Sequence, residues 1–103
     1  MVKERRMKKL RPLKISAERL RLNKVDILFY NNQGVKQADE GNFKEATQAF
    51  TKAIQLMPED SLSYFNRATV KMNLGDILGA KLDFALSESF QIRSNLINKL
   101  GMN

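Results

Sequence analysis

The stretch Asp26–Asp60, DILFYNNQGVKQADEGNFKEATQAFTKAIQLMPED, decides the fold, because the residues that follow it repeat its layout. A shift of 34 positions brings seven residues onto identical ones. The pairs are Asp26 and Asp60, Leu28 and Leu62, Tyr30 and Tyr64, Asn32 and Asn66, Gly41 and Gly75, Ala46 and Ala80, and Phe50 and Phe84. A repeat of this length, with turn residues and apolar residues in register, indicates one supersecondary unit used twice.

Each unit is predicted to be a helical hairpin. Asp26 is expected to cap the first helix, and Gly41 to end it where a left-handed residue is least costly. Asn42 followed by Glu45 predicts a variant of the capping box at the start of the second helix. Pro58 ends that helix. In the same way, the next two helices are expected to use Asp60 as cap, Gly75 as stop and Asp76 as cap.

The second helix of each unit has apolar residues at helical spacing, which predicts one buried face. In unit one these residues are Phe43, Ala46, Ala49, Phe50, Ala53, Ile54 and Met57. In unit two the expected buried residues are Ile77, Ala80, Phe84 and Leu86. The small residues let the helices of a hairpin approach closely, and the aromatic residues fill the space between hairpins. We therefore expect a core role, not a binding role, for Tyr30, Ala46, Phe50, Tyr64, Ala80 and Phe84.

This pattern resembles the tetratricopeptide repeat, a 34-residue family with aromatic, small and Pro residues at fixed offsets. Unit one matches it at Tyr30, Gly34, Ala46, Phe50, Ala53 and Pro58, and unit two at Tyr64, Ala68, Ala80 and Phe84. The departures are Gln33 and Arg67 in place of Leu, Gln37 and Lys71 in place of Tyr, and Ile92 in place of the second Pro. The resemblance covers about residues 27–92. It implies an all-α protein, a right-handed α-solenoid of two such hairpins with N-terminal and C-terminal flanking helices.

The chain is accordingly divided into five segments. Residues 1–12 form a basic flexible arm, 13–25 an N-terminal flanking helix, 26–60 and 61–92 the two repeats, and 93–103 a C-terminal capping helix. Leu13, Ala17 and Leu20 mark the apolar stripe of the flanking helix, which either pauses at Asn23 or continues into the first repeat. At the other end an apolar stripe predicts a cap over the second hairpin or, alternatively, a face for a weak homodimer: Ile92, Leu96, Ile97 and Leu100.

Charge is concentrated at the N-terminus. Residues 1–24 hold ten Lys or Arg and two acids, whereas residues 25–103 hold eight and nine. The arm carries Lys3, Arg5, Arg6, Lys8, Lys9 and Arg11. Such a segment suits phosphate contacts, which leaves nucleic-acid, ribosome or anionic-membrane association as an alternative function, although residues 1–24 have no aromatic side chain for base stacking. No run of apolar residues is long enough for a transmembrane segment.

Residues that could carry chemistry are scarce. The chain has no Cys and no His, which removes thiolate chemistry, the usual zinc ligands and the commonest general base. The carboxylate pairs Asp39–Glu40 and Glu59–Asp60 are explained by helix ends. We therefore expect no enzyme, no cofactor and no metal site. The absence of Cys fits a reducing compartment, and a cytoplasmic location is expected.

The resemblance places the first helix of each hairpin along a concave groove. The side chains expected there are Leu28, Asn31, Asn32, Val35, Ala38 and Asp39 from unit one, and Leu62, Phe65, Asn66, Thr69, Met72 and Asn73 from unit two. Asn amides can hold an extended backbone while apolar side chains form pockets. The expected function is a protein-interaction scaffold that binds a peptide or partner helix. Clamping of a chaperone C-terminal carboxylate is not expected, because Asn31 and Val35 stand where such members have Lys and Asn.

Overall fold

The computed structural model describes residues 12–101, with side chains from residue 24 onward, and folds this part of the chain into four helices. The helices are α1 (Pro12–Asp39), α2 (Phe43–Leu56), α3 (Ser61–Leu74) and α4 (Ile77–Lys99). Helices α1 and α2 pack as hairpin 1 and α3 and α4 as hairpin 2, while α2 packs on α3. The predicted all-α architecture of two stacked helical hairpins is confirmed. The basic residues of the arm, at positions 3–11, lie outside the described residues.

The turns between helices follow the predicted residues. Gly41 and Gly75 have φ values of 82° and 85°, a left-handed conformation that glycine adopts without strain. The Asp60 side chain accepts from the Ser63 amide, and Asp76 accepts from the Gly79 amide. These caps satisfy amides that have no partner within their own helix. The second and third turns of the chain are therefore specified by local sequence.

Three local predictions were wrong. Asp26 is not a cap, because α1 runs through it without a break from Pro12. Asn42 precedes α2, but its side chain makes no capping bond; its Nδ2 instead donates to Gln37 Oε1 at 2.9 Å, so the capping box with Glu45 does not form. The expected separate helix at the C-terminus is, as far as Lys99, the continuation of α4. Hairpin 2 has Ile92 at the position where hairpin 1 has Pro58. Because no proline interrupts α4 at that position, the helix continues.

The Phe50 side chain of α2 packs directly against Gly34 of α1. Phe50 is 1% exposed and Ala46 is fully buried. A Cβ atom on Gly34 would lie 2.5 Å from Cζ of the Phe50 ring, closer than two carbon atoms can approach. Glycine is therefore required at this position by close packing and not by its backbone conformation, which is helical.

Residues predicted as core differ between the two hairpins. Ala46, Phe50, Tyr64 and Ala80 are buried as expected. The others are more exposed than expected: Tyr30 and Phe84 are half-buried, and Ile77 and Leu86 are 45% and 40% exposed. For Ile77, Phe84 and Leu86 the reason is position in the stack, because α3 covers hairpin 1, whereas no further helix among the described residues covers hairpin 2. This reason does not apply to Tyr30, which lies in hairpin 1.

Hairpin 2 contains a buried ionic cluster that the sequence analysis missed. Asp83 is 2% exposed. Arg67 contacts it with two nitrogens, Nε to Oδ2 at 2.7 Å and Nη2 to Oδ1 at 2.9 Å, and Lys71 Nζ lies 3.1 Å from Oδ2. Arg67 Nη1 also donates to Thr51 Oγ1 at 3.2 Å, which ties α3 to α2. Burial acts to raise the pKa of Asp83, but the hydrogen bonds and charges of Arg67 and Lys71 outweigh it and hold the pKa below its ordinary value.

The Asp83→Asn variant tests this cluster, because it keeps the size of the side chain and removes the negative charge. We expect the free energy of unfolding to fall by about 3 kcal/mol, the lower end of the cost of breaking a buried ion pair. The lower end applies because the Arg67 side chain keeps 18% exposure. Urea denaturation followed by circular dichroism measures this change.

A matched control replaces the whole cluster at once with Arg67→Leu, Lys71→Tyr and Asp83→Ala. Leu and Tyr are the residues that the family prefers, and Ala49 occupies the position of Asp83 in hairpin 1. We expect the triple variant to unfold within about 1 kcal/mol of the wild type, because no charge is left unpaired. Equal stability of Asp83→Asn and the wild type would contradict a stabilising role for the ion pairs.

The stability difference between the wild type and Asp83→Asn should also depend on pH. Because the folded-state pKa of Asp83 is lowered, its contribution is fully present above the unfolded pKa of about 3.9 and is lost as the pH falls through the folded value. The difference in unfolding free energy should therefore be constant near neutral pH and shrink below about pH 4. A difference that stays the same down to pH 2 would be evidence against the assignment.

Candidate functional site

A groove lies between α1 and α3, with a depression of about 190 Å³ at its centre. Val35, Ala38 and Asp39 line it from α1. Phe65, Asn66 and Thr69 line it from α3, with Phe50 and Val70 beneath. Six of the twelve side chains expected along the groove thus line this depression: Val35, Ala38, Asp39, Phe65, Asn66 and Thr69.

These side chains share one surface because each helix presents residues three or four positions apart on the same face. On α1 this gives Val35 and Asp39, and on α3 it gives Phe65 and Thr69. The Thr69 hydroxyl donates to the Phe65 carbonyl at 3.0 Å. This bond within the helix fixes the Thr69 side chain, so its methyl and hydroxyl groups keep fixed positions on the wall.

The remaining predicted residues lie outside this depression. Asn32, Met72 and Asn73 are exposed on α1 and α3, and the Asn73 amide donates to the Thr69 carbonyl at 3.0 Å. Leu28 and Leu62 are also more than half exposed. These residues can extend a binding surface along the two helices, but they do not form the pocket itself.

Asn31 lies beneath the groove and not on its surface. It is 5% exposed, and its Nδ2 donates to Ser63 Oγ at 2.9 Å and to the Ile27 carbonyl at 3.1 Å. Its Oδ1 accepts from Asn66 Nδ2 at 3.0 Å. Both Nδ2 protons of Asn31 are therefore in use, and through Oδ1 the residue orients Asn66 in the groove. The Oδ1 atom of Asn66 has no partner among the described residues and is the amide oxygen available to a ligand.

Sequence reasoning missed Ser63, which completes this chain of hydrogen bonds. Ser63 is fully buried, and its hydroxyl donates to the capping carboxylate of Asp60. Alignment of the two repeats could have identified Ser63, because Ser63 occupies the position that Phe29 has in hairpin 1. A small polar residue in place of an aromatic one marks a position where two helices approach and where a hydroxyl finds partners.

A second and larger depression, of about 540 Å³, opens beside α3 and α4. We call it the open seat. Its lining is Ser61, Leu62, Phe65, Phe84, Ser87, Glu88, Gln91 and Ile92. The rings of Phe65 and Phe84 pack edge to face there, with their centroids 5.5 Å apart. Phe65 thus separates the groove from the open seat and contributes to both.

Each of the two surfaces has one ionisable side chain in its lining. Asp39 is the ionisable residue in the groove lining, and Glu88 is the one in the open seat. No group of three or more Asp, Glu, His or Cys side chains within the described residues could hold a metal ion. None of the four described helices has the length and apolarity needed to cross a membrane.

Comparison with known proteins places this architecture in a family. The family model of the tetratricopeptide repeat matches residues 27–60. Over 59 residues the chain is 42% identical to tetratricopeptide repeat protein 36 of Danio rerio, covering 55% of this chain and 32% of that protein. The Homo sapiens protein of the same name is 41% identical over 51 residues, which are 50% of this chain and 27% of that protein.

A further relative is the peroxisomal targeting signal receptor of Saccharomyces cerevisiae. It is 38% identical over 56 residues, which are 54% of this chain and 9% of that protein. The chain therefore spans less than a third of the length of each of these three relatives. No solved structure matches the chain significantly.

The family model covers hairpin 1, and hairpin 2 repeats the same design in the structure. Ala46 and Ala80 are both fully buried, and Gly41 and Gly75 both adopt the left-handed conformation. The sequence match, the relatives and the two equivalent hairpins agree, and together they support a tetratricopeptide repeat protein.

Proposed function

We propose that the chain is a protein-interaction module that binds an extended peptide segment in the groove between α1 and α3. The observation that carries this proposal is the depression of about 190 Å³ walled by Val35 and Phe65 and edged by the Asn66 amide. An apolar pocket beside a free amide oxygen suits a peptide, because one side chain enters the pocket while a backbone N–H group donates to the amide.

The groove is held in shape before any ligand arrives. Asn31 fixes Asn66 by a bond of 3.0 Å, and Phe50 supports the floor from a position that is 1% exposed. A site that is already ordered loses less conformational entropy on binding than a flexible one. The arrangement therefore favours recognition over catalysis, which would require acid–base or nucleophilic groups that this lining does not bring together.

The charge in the groove indicates the kind of peptide. Asp39 is the ionisable side chain in the lining, so a Lys or Arg of the ligand that reaches it gains a charge-assisted hydrogen bond. We propose that the preferred segment carries an apolar residue followed at short distance by a basic one. The yeast relative is named as the receptor of a targeting signal, which supports a role in binding short segments of other proteins.

The Val35→Arg variant tests the groove. Val35 is 45% exposed on its wall, so a long charged side chain there blocks the pocket without entering the core. Peptides are first selected from a phage-displayed random library on the full chain, and their affinity is then measured by fluorescence polarisation. We expect Val35→Arg to weaken binding at least tenfold, about 1.4 kcal/mol.

The matched control is Leu82→Arg, which introduces the same side chain at a position on α4 that is 67% exposed and is not part of the groove lining. Its affinity for the selected peptides should equal that of the wild type. Two results would reject the proposal: selected peptides that bind Val35→Arg as tightly as the wild type, or a selection that enriches no peptide.

A further inference from the structure

The open seat of hairpin 2 is equivalent to a seat that is filled in hairpin 1. Each residue of its lining stands 34 positions after a residue of hairpin 1. In hairpin 1 this surface holds helix α3: Ser63 bonds to Asn31, and the Tyr64 hydroxyl donates to the Pro58 carbonyl at 2.8 Å. Hairpin 1 therefore shows that a surface of this kind can bind a helix, here α3, which runs antiparallel to the neighbouring helix α2.

Burial measures the difference between the two seats. Asn31 and Phe50 of the filled seat are 5% and 1% exposed. Their equivalents in hairpin 2 are Phe65, which is 51% exposed, and Phe84, which is half-buried. An aromatic pair left open in this way marks an interaction surface, because covering it removes apolar area from water.

The chain also contains a helix built like the one that fills the seat. The part of α1 from Asp26 to Asp39 stands 34 positions before α3 and its cap, and the two share Asp, Leu, Tyr and Asn at equivalent positions. One face of this part of α1 is equivalent to the face of α3 that packs against hairpin 1. No helix among the described residues packs against this face of α1. Phe29 is 57% exposed, whereas its equivalent Ser63 is fully buried.

The side chains of this face are compatible with the open seat. Phe29 is the equivalent of Ser63, and Phe65 is the equivalent of Asn31. A contact between the two Phe rings would therefore take the place of the hydrogen bond between Ser63 and Asn31. Lys36 stands where α3 has the buried Val70. Its methylene stem can cover the same apolar surface while Nζ reaches solvent.

The lengths of the terminal helices fit the same arrangement. Helix α1 has fourteen residues before Asp26, where the first repeat begins. Phe90 is the equivalent of Leu56, the last residue of α2, and α4 continues for nine residues beyond it. An α1 helix seated antiparallel to α4 would run alongside this extension. The extension offers apolar side chains to it, because Ile92, Leu96 and Leu100 are 59%, 55% and 62% exposed.

We infer that the open seat binds helix α1 of a second copy of this chain, so that copies stack head to tail as hairpin 2 stacks on hairpin 1. The contact joins two different surfaces, the α1 face at one end and the open seat at the other. Such a heterologous contact leaves one unused surface at each end of the pair, so association continues beyond the dimer. The stack extends the groove from one copy to the next.

Two variants test the two surfaces separately: Phe29→Glu on the α1 face and Ile92→Arg in the open seat. Sedimentation equilibrium of the full chain over a wide range of concentrations gives the association. We expect the average mass of the wild type to rise with concentration beyond that of a dimer. Each variant alone should associate at least tenfold more weakly than the wild type, because every contact in its solution then includes one altered surface.

Mixing the two variants gives the decisive measurement. A copy with Phe29→Glu keeps its open seat and a copy with Ile92→Arg keeps its α1 face, so an equimolar mixture should form a dimer of one copy of each and grow no further. Leu82→Arg on the outer face of α4 is the matched control and should associate like the wild type. Circular dichroism of each variant checks that helicity is unchanged, as expected for substitutions at exposed positions.

Several results would overturn the inference. A wild type that keeps the mass of a single chain at every concentration shows that the seat does not bind a second copy. A closed dimer that is unaffected by Phe29→Glu, or one abolished by Leu82→Arg, shows a different interface. Failure of the mixed variants to pair, when each alone is monomeric, shows that the contact is not head to tail.

Discussion

The close approach of α1 and α2 at Gly34 and Phe50 is the packing contact on which the rest of the structure depends. Phe50 can pack against α1 at Gly34 only because Gly34 has no side chain, and Ala46, one turn before Phe50 on α2, is fully buried. This contact joins α1 to α2, and α3 packs on the hairpin that these two helices form. The groove inherits its geometry from it, since Phe50 is also the floor between the two walls.

Polar contacts then set the register of hairpin 2 on hairpin 1. Asn31 bonds to Ser63 and Asn66, and Arg67 joins Asp83 within hairpin 2 to Thr51 of α2. Apolar packing alone is tolerant of small shifts, whereas hydrogen bonds at 2.7–3.2 Å are not. Here they specify where Asn66 lies relative to the pocket, which links the stability of the stack to the proposed binding site.

The two hairpins are equivalent in design but not in environment. Hairpin 1 is covered on one side by α3, and hairpin 2 has no such cover within the described residues, so equivalent positions differ greatly in exposure. In a solenoid, each unit buries its apolar face against a neighbour. The exposure of Phe65 and Phe84 is therefore a consequence of position in the stack, and it gives the open seat its chemistry.

The sequence alone determined the repeat, the helix ends at Gly41 and Gly75, the caps at Asp60 and Asp76, and the buried helix face around Ala46. These features depend on neighbours within a few residues or on a strict period, which a sequence displays directly. The tertiary structure alone decided that Asn31 is buried, that Arg67 and Asp83 pair, and that Phe65 divides the groove from the open seat. Each of these depends on which side chain of another helix lies opposite, and helical spacing specifies the face of a residue but not the partner that covers it.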